Sequence, residues 1–159
     1  MAKEDRSAFA CGRESLDRYF HTQIGQDVRR RIATAFVAMH QPTGTIAGFY
    51  TLAATHVPFT DLDEDWRGRL PRYPTLPAVL VGRLAIDRRF QGQGLGGALL
   101  TDAARRAIRS DIGARFLIVD ALDEGAARFY QRHGMRRIPG TDSRLFIPLS
   151  VLAGPLSKL

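Results

Sequence analysis

The sequence predicts a single α/β domain over residues 1–159, a central mixed β-sheet with helices on both faces. Three observations predict it. The β-rich run from Ala78 to Ile86 is followed by glycines at 92, 94, 96 and 97 and then by a helix-compatible stretch from Leu95. Downstream of it, strand and helix patterns alternate to the end of the chain. Upstream, Ala33–His40 and Thr45–Ala53 flank the turn-forming Gln41-Pro42-Thr43-Gly44, which reads as a β-hairpin. A chain of 159 residues suffices for one substantial core and is too short for two ordinary ones.

From Gly12 onward, Leu16, Phe20 and Ile24 share one helical face with Tyr19 beside them, an amphipathic helix expected to break at Gly25. After the hairpin, residues 58–77 carry Trp66 and prolines at 58, 71, 74 and 77 and are expected to form an irregular surface segment. In the helix from Leu95, Leu99, Ala103 and Ala107 make one stripe with Leu100, Ala104 and Ile108 alongside. Phe116-Leu117-Ile118-Val119 is wholly apolar, as a central strand requires. Asp123 suits the N-cap of the next helix, which carries Phe129 and Tyr130, and Gly134 suits its stop. Arg144–Leu149 is expected as a last strand, with Pro148 at its edge or end.

Composition narrows the class. With 45% hydrophobic and 25% charged residues the chain reads as an ordinary soluble domain. No apolar run approaches the roughly 20 residues of a membrane span, and the first residues lack a signal-peptide core, so no membrane association is expected. Cys11 is alone, which permits no internal disulfide and suits an inert thiol in a reducing cytoplasm. His21, His40, His56 and His133 are scattered, and no grouping has metal-ligand spacing.

The glycine loop carries the chemistry. Strand, glycine loop and helix together aim backbone N–H groups and a positive helix end at one anion, and glycine lets a phosphate approach closely. A nucleoside-triphosphate P-loop would need Lys-Ser or Lys-Thr after the last glycine, where Gly97-Ala98 stands. Gly92 to Gly97 also satisfies G-x-G-x-x-G, with Asp120 following. Against a dinucleotide fold, Asp87–Gln91 separate strand from glycines, and too little chain remains for the rest of a parallel sheet. A plain tight turn between core elements is the bland alternative. The third pattern is Gln/Arg-x-x-Gly-x-Gly/Ala, met by Gln91-Gly92-Gln93-Gly94-Leu95-Gly96.

That pattern resembles the pyrophosphate loop of the GNAT N-acetyltransferases. Arg83-Leu84-Ala85-Ile86-Asp87 precedes it, and Asp123-Glu124-Gly125-Ala126-Ala127-Arg128-Phe129-Tyr130 and His133-Gly134 follow in the family's order. The resemblance implies acetyl-coenzyme A as acetyl donor, with no metal. It assigns the donor's site to Leu84, Ala85, Ile86, Arg89, Gln91, Gly92, Gln93, Gly94, Leu95, Gly96, Asp123, Ala126 and Phe129. It makes Tyr130 the proton donor to the leaving thiolate, since a phenol of pKa near 10 is protonated at neutral pH. Core filling is the alternative for Phe129-Tyr130. Where many relatives have Asn and Phe, this chain has Asp123 and Met135. As candidate bases, Glu64, Asp65, His56 and Asp120 lack a supporting partner in the sequence. A lysine acceptor would need a base more than an α-amine would, so an α-amine acceptor is expected.

The net charge of +7 and a pI near 10.5 call for an anionic partner. All basic residues but Lys3 and Lys158 are arginines, clustered at 29–31, 67/69/72, 88–89, 105/106/109 and 128/132/136/137. GC-rich coding and solvated faces are the bland explanations. RNA is the functional one, with Arg29, Arg30, Arg31, Arg72, Arg136 and Arg137 as candidate contacts.

Phe9-Ala10-Cys11-Gly12, Leu16-Asp17-x-Tyr19, Phe36-Val37-Ala38, Ile46–Leu52 and Leu70-Pro71-Arg72-Tyr73-Pro74 extend the resemblance to one GNAT subfamily. It comprises the acetyltransferase toxins of toxin–antitoxin pairs. This implies aminoacyl-tRNA as substrate, a ribbon-helix-helix antitoxin as partner, DNA contact only through that complex, and a possible homodimer. The alternatives are acetylation of a protein N-terminus or small amine, and a non-catalytic regulator sensing acetyl-coenzyme A or binding DNA.

Overall fold

The computed structural model describes residues 6–156. It contains six strands and six helices of at least four residues among them. The order is α1 (Glu14–Thr22), α2 (Ile24–Arg29), β1 (Thr34–His40), β2 (Thr45–Pro58), α3 (Glu64–Arg67), β3 (Thr75–Ile86), α4 (Leu95–Arg109), β4 (Phe116–Asp120), α5 (Glu124–Arg132), β5 (Arg136–Arg137), β6 (Arg144–Pro148) and α6 (Leu149–Leu156). Short 3-10 turns lie at Phe59–Asp61 and Arg88–Phe90. The strands form one mixed sheet in the order β1-β2-β3-β4-β6-β5.

Two compact units are distinguishable: the chain up to Ala53 with Gly82–Ala103, and Ala54–Val81 with the chain from Ala104. In the first, β1 and β2 pair antiparallel from Thr34↔Leu52 to His40↔Thr45, with an irregularity at Ala38/Met39. Its core joins Phe9, Tyr19, Phe20, Ile24, Ile46, Phe49 and Ala85. Phe20 stacks on Phe49 at 4.3 Å between ring centroids, and Phe9 packs on Phe20 at 4.8 Å. A Cβ on Gly48 would meet Ile86 Cδ1 at 2.9 Å, Leu99 Cδ1 at 3.0 Å and the Ala85 carbonyl at 3.1 Å. Glycine there lets β3 and α4 close on β2.

In the second unit, β3 and β4 run parallel from Ala78↔Phe116 to Val81↔Val119. The strand β6 runs antiparallel to β4, and β5 flanks β6 through Arg136↔Phe146 and Arg137↔Leu145. The core of this unit joins Val57, Leu62, Leu70, Leu76, Ala78, Phe116, Ile118, Ile138 and Phe146.

Several sequence expectations need correction. The break in the N-terminal helical region falls at Gln23, whose N–H still bonds the Tyr19 carbonyl, and Gly25 lies inside α2. β2 continues to Pro58 and β3 begins at Thr75, so the irregular segment is shorter than expected and contains α3. Pro77 sits within β3 because it is exposed and needs no N–H there, while its carbonyl accepts from Arg115 N at 2.8 Å. Pro148 marks the end of β6, not an edge, since β6 lies between β4 and β5.

Candidate active site

The parallel ladder stops at Val81↔Val119, and β3 continues through Gly82–Ile86 without a β4 partner. Here the Arg83 N–H donates to Thr51 Oγ1 at 3.1 Å and the Asp87 N–H to the Ala47 carbonyl at 2.8 Å. Strand alternation therefore turns the peptide groups of Leu84 and Ile86 to the opposite edge. Ala85 is buried in the core, while Leu84 and Ile86 are half-buried.

Asp87 ends the strand and organises the turn after it. Its carboxylate, 2% exposed, accepts from Arg89 N and Arg89 Nε, each at 2.9 Å, from Arg89 Nη2 at 3.1 Å and from Ala10 N at 3.1 Å. Burial opposes its ionisation. The hydrogen bonds from the Arg89 side chain, the Arg89 N–H and the Ala10 N–H outweigh that and hold its pKa below the usual carboxylate value. Arg89 is thus engaged with the loop itself. Gln91 Nε2 donates to the carbonyls of Cys11 at 2.8 Å and Ile86 at 2.9 Å, and Arg88 N donates to Ala10 O at 2.9 Å. The Ala10-Cys11 segment braces the loop, a role sequence reasoning missed because nothing local in those residues signals it. The Cys11 thiol is buried, which raises its pKa to about 11 and leaves it unreactive.

Gly92, Gln93 and Gly94 are exposed, and Leu95 and Gly96 open α4 half-buried. The φ angles of Gly92 and Gly94 are +76° and +82°, and a Cβ on either would meet nothing within 4 Å. The first intrahelical bond runs from Ala98 N to the Gly94 carbonyl, which leaves the N–H groups up to Gly97 without a helical acceptor. The result is an open cradle of backbone donors at the positive end of a fifteen-residue helix. It fits a pyrophosphate.

In the second unit, Asp123 caps α5 by accepting from Ala126 N at 2.9 Å, as the sequence predicts. Ala126 and Phe129 are half-buried, and Phe129 lies edge-on to Tyr130 at 5.1 Å and beside His133 at 4.6 Å. Tyr130 is only 5% exposed, and its hydroxyl has no hydrogen-bond partner among the described residues. Burial, with a smaller contribution from the Asp120 charge, pushes its pKa well above the usual phenol value.

The base candidates gain no support. Asp120 is tied to Arg144 Nε at 3.0 Å, Glu64 faces Arg67 at 3.9 Å, and His56 and Asp65 are exposed. Of the arginines proposed for RNA, Arg29, Arg30, Arg31 and Arg72 are exposed, with Arg30 donating to the Gln26 side-chain oxygen. Arg136 and Arg137 are exposed too, but ion-paired to Asp63 at 3.2 Å and to Glu124 at 2.7 Å. Among the described residues no group of three or more His, Cys, Asp or Glu could hold a metal ion, and no helix is long and apolar enough to cross a membrane.

The cradle, the end of β3 beyond its β4 partner and the buried phenol are arranged in the chain order of one acyltransferase family, and the model of the Acetyltransferase (GNAT) family matches residues 4–135. The chain belongs to the GNAT acetyltransferase family. It is therefore an acetyl-CoA-dependent N-acetyltransferase. This GNAT chain is 35% identical over 129 residues to a tRNA-acetylating toxin of Mycobacterium tuberculosis, covering 80% of this chain and 75% of that one. A solved structure, AtaT complexed with acetyl-methionyl-tRNAfMet, is 30% identical with a TM-score of 0.85, over 94% of this chain and 91% of that one. A tyrosine-to-phenylalanine mutant of the AtaT toxin, bound to the C-terminus of the antitoxin AtaR and acetyl-CoA, is 26% identical with a TM-score of 0.82. That likeness covers 99% of this chain and 95% of that one.

Proposed function

We propose that this GNAT domain, over residues 1–159, moves the acetyl group of acetyl-CoA to the α-amine of an aminoacyl-tRNA. It acts in the cytoplasm as the toxin of a toxin–antitoxin pair, neutralised by a ribbon-helix-helix antitoxin and touching DNA only in that complex. The observation that carries the transferase half is the cradle at Gly92–Gly97, with its free donors and left-handed glycines. Likeness to tRNA-acetylating relatives over most of the chain supports the acceptor.

Bound acetyl-CoA supplies a thioester carbonyl and a thiolate leaving group. The backbone donors of Gly92–Gly97 hold the pyrophosphate, and the Leu84 and Ile86 edge receives the amide-bearing arm as an added strand would be received. An N–H of that edge also faces the negative charge that develops on the carbonyl oxygen. As the amine nitrogen bonds to the carbonyl carbon and the C–S bond breaks, Tyr130 Oη gives its proton to the departing sulfur. Burial keeps the phenol protonated until that moment, and the proton the nitrogen sheds passes through solvent and restores it. Of the candidate bases Asp120 and Glu64 face arginines, which suits an α-amine, whose pKa of about 7.7–8.0 leaves far more free base at neutral pH than a lysine at about 10.4 would.

Radiolabelled acetyl-CoA offered in parallel to charged tRNA, uncharged tRNA, peptides and polyamines tests the reading. Label on charged tRNA alone is the expected result. Efficient labelling of peptides or polyamines with charged tRNA untouched would overturn it.

A further inference from the structure

In the first unit the guanidinium groups of Arg6 and Arg29 approach one point at Gly25. Arg6 is 8% exposed, and its Nε is buried with no hydrogen-bond partner. Its Nη1 and Nη2 lie 3.3 and 3.7 Å from the position a Cβ at Gly25 would take. Arg29, one turn along α2, brings its Nη1 within 3.3 Å of the same point. On the same helix Asp27 turns its Oδ2 to Tyr19 Oη, from which it accepts at 3.0 Å. Two cations thus converge on one spot, one held by burial of its stem, over a residue that has no side chain. Converging planar forks match the oxygens of a single phosphate.

We infer that Arg6 and Arg29 form a phosphate-binding fork at Gly25, which takes one backbone phosphate of the RNA substrate. The RNA assignment rests on the proposed function above. The fork separates Arg29 from its neighbours in the basic triplet: Arg30 donates to Gln26, and Arg31 adopts a left-handed conformation at φ +58°.

The test measures tRNA affinity across a salt series for the wild-type protein, Arg29→Gln and Gly25→Asp. Gly25→Asp sets a carboxylate between the forks, in the first turn of α2 where an acid suits the helix dipole. It should raise the melting temperature while weakening tRNA binding about tenfold, and Arg29→Gln should weaken it about threefold. The slope of log affinity against log salt should fall by somewhat under one unit for Arg29→Gln and by more for Gly25→Asp. If wild-type protein binds tRNA and both variants retain its affinity and slope, the fork assignment is overturned and the substrate reading stands. Variants that keep tRNA but lose a glutamate-rich peptide would assign the fork to a protein carboxylate and also overturn it. A wild-type protein that never binds tRNA overturns the substrate reading, and this assignment with it.

Discussion

The Gln91 side-chain amide donates to the Ile86 carbonyl at 2.9 Å and, with its other hydrogen, to the Cys11 carbonyl at 2.8 Å. One residue thereby fixes the glycine loop to the strand before it and to the N-terminal segment. Gln91→Leu keeps the volume and removes both bonds, each worth about 1 kcal/mol. The expected outcome is a folded protein with a slightly lower melting temperature and about tenfold weaker acetyl-CoA binding by calorimetry. Unchanged affinity would show that Asp87 and the helix alone shape the cradle.

Gly94→Asp should abolish acetyl-CoA binding without unfolding the protein. Space is available, since a Cβ at Gly94 meets nothing within 4 Å, but the φ of +82° costs about 1 kcal/mol for a side-chain-bearing residue. The carboxylate also repels the pyrophosphate its backbone would cradle. Circular dichroism checks the fold, and titration calorimetry that still reports wild-type affinity would refute the cradle assignment.

Asp87→Asn should destabilise the fold by about 2 kcal/mol, because it removes the charge that gathers Arg89 N, Arg89 Nε and Ala10 N. The sign with pH follows from the lowered pKa. The stability due to this ionised carboxylate is present above its unfolded value near 3.8 and is lost as pH falls through the still lower folded value. Melting temperatures of wild type and variant should therefore converge under strongly acid conditions.

The loop, the start of α4 at Leu95, the hairpin and the Asp123 cap were legible because each is set by residues adjacent in sequence. Gly92, Gly94 and Asp123 announce their own backbone geometry. What the sequence hid depends on distant contacts. Ala10 and Cys11 serve the loop through plain peptide groups, which leave no side-chain signature. The extension of β2 to Pro58 follows from burial of Val57 against residues such as Leu76 and Phe116, and β5 is only two arginines held by Leu145 and Phe146. The helix α6 spans Gly154-Pro155, a pair that argues locally against any helix. At Arg136 and Arg137 the exposure was foreseeable and the ion pairs were not, because Asp63 and Glu124 lie far away in sequence.

Tyr130→Phe should lower turnover about a hundredfold while acetyl-CoA affinity hardly changes, since only one hydroxyl is removed from a buried ring. The raised pKa adds a second readout. Wild-type kcat should show no alkaline fall from this phenol at pH 10, and stability should decline above pH 10 as unfolded chains ionise a tyrosine that the fold keeps neutral. Wild-type turnover in the variant would leave Tyr130 as a packing residue.

The exposed arginines divide into two physical classes, which gives the last prediction. Arg136 and Arg137 already face Asp63 and Glu124, so reversing them to glutamate removes two surface ion pairs and sets like charges against each other. Arg30 and Arg31 have no acidic partner among the described residues, and Arg30 meets only the Gln26 amide. A polyanion reaches Arg30 and Arg31 without displacing a carboxylate, whereas at Arg136 and Arg137 it must first compete with one. Arg30→Glu with Arg31→Glu should therefore weaken tRNA binding more, and lower the salt slope by up to about one unit for each phosphate no longer neutralised. Arg136→Glu with Arg137→Glu should instead lower the melting temperature more than it lowers tRNA affinity. Salt-series binding and thermal melts on the two double variants check this together, and a larger drop in tRNA affinity from the Arg136 and Arg137 pair would reverse the order of importance.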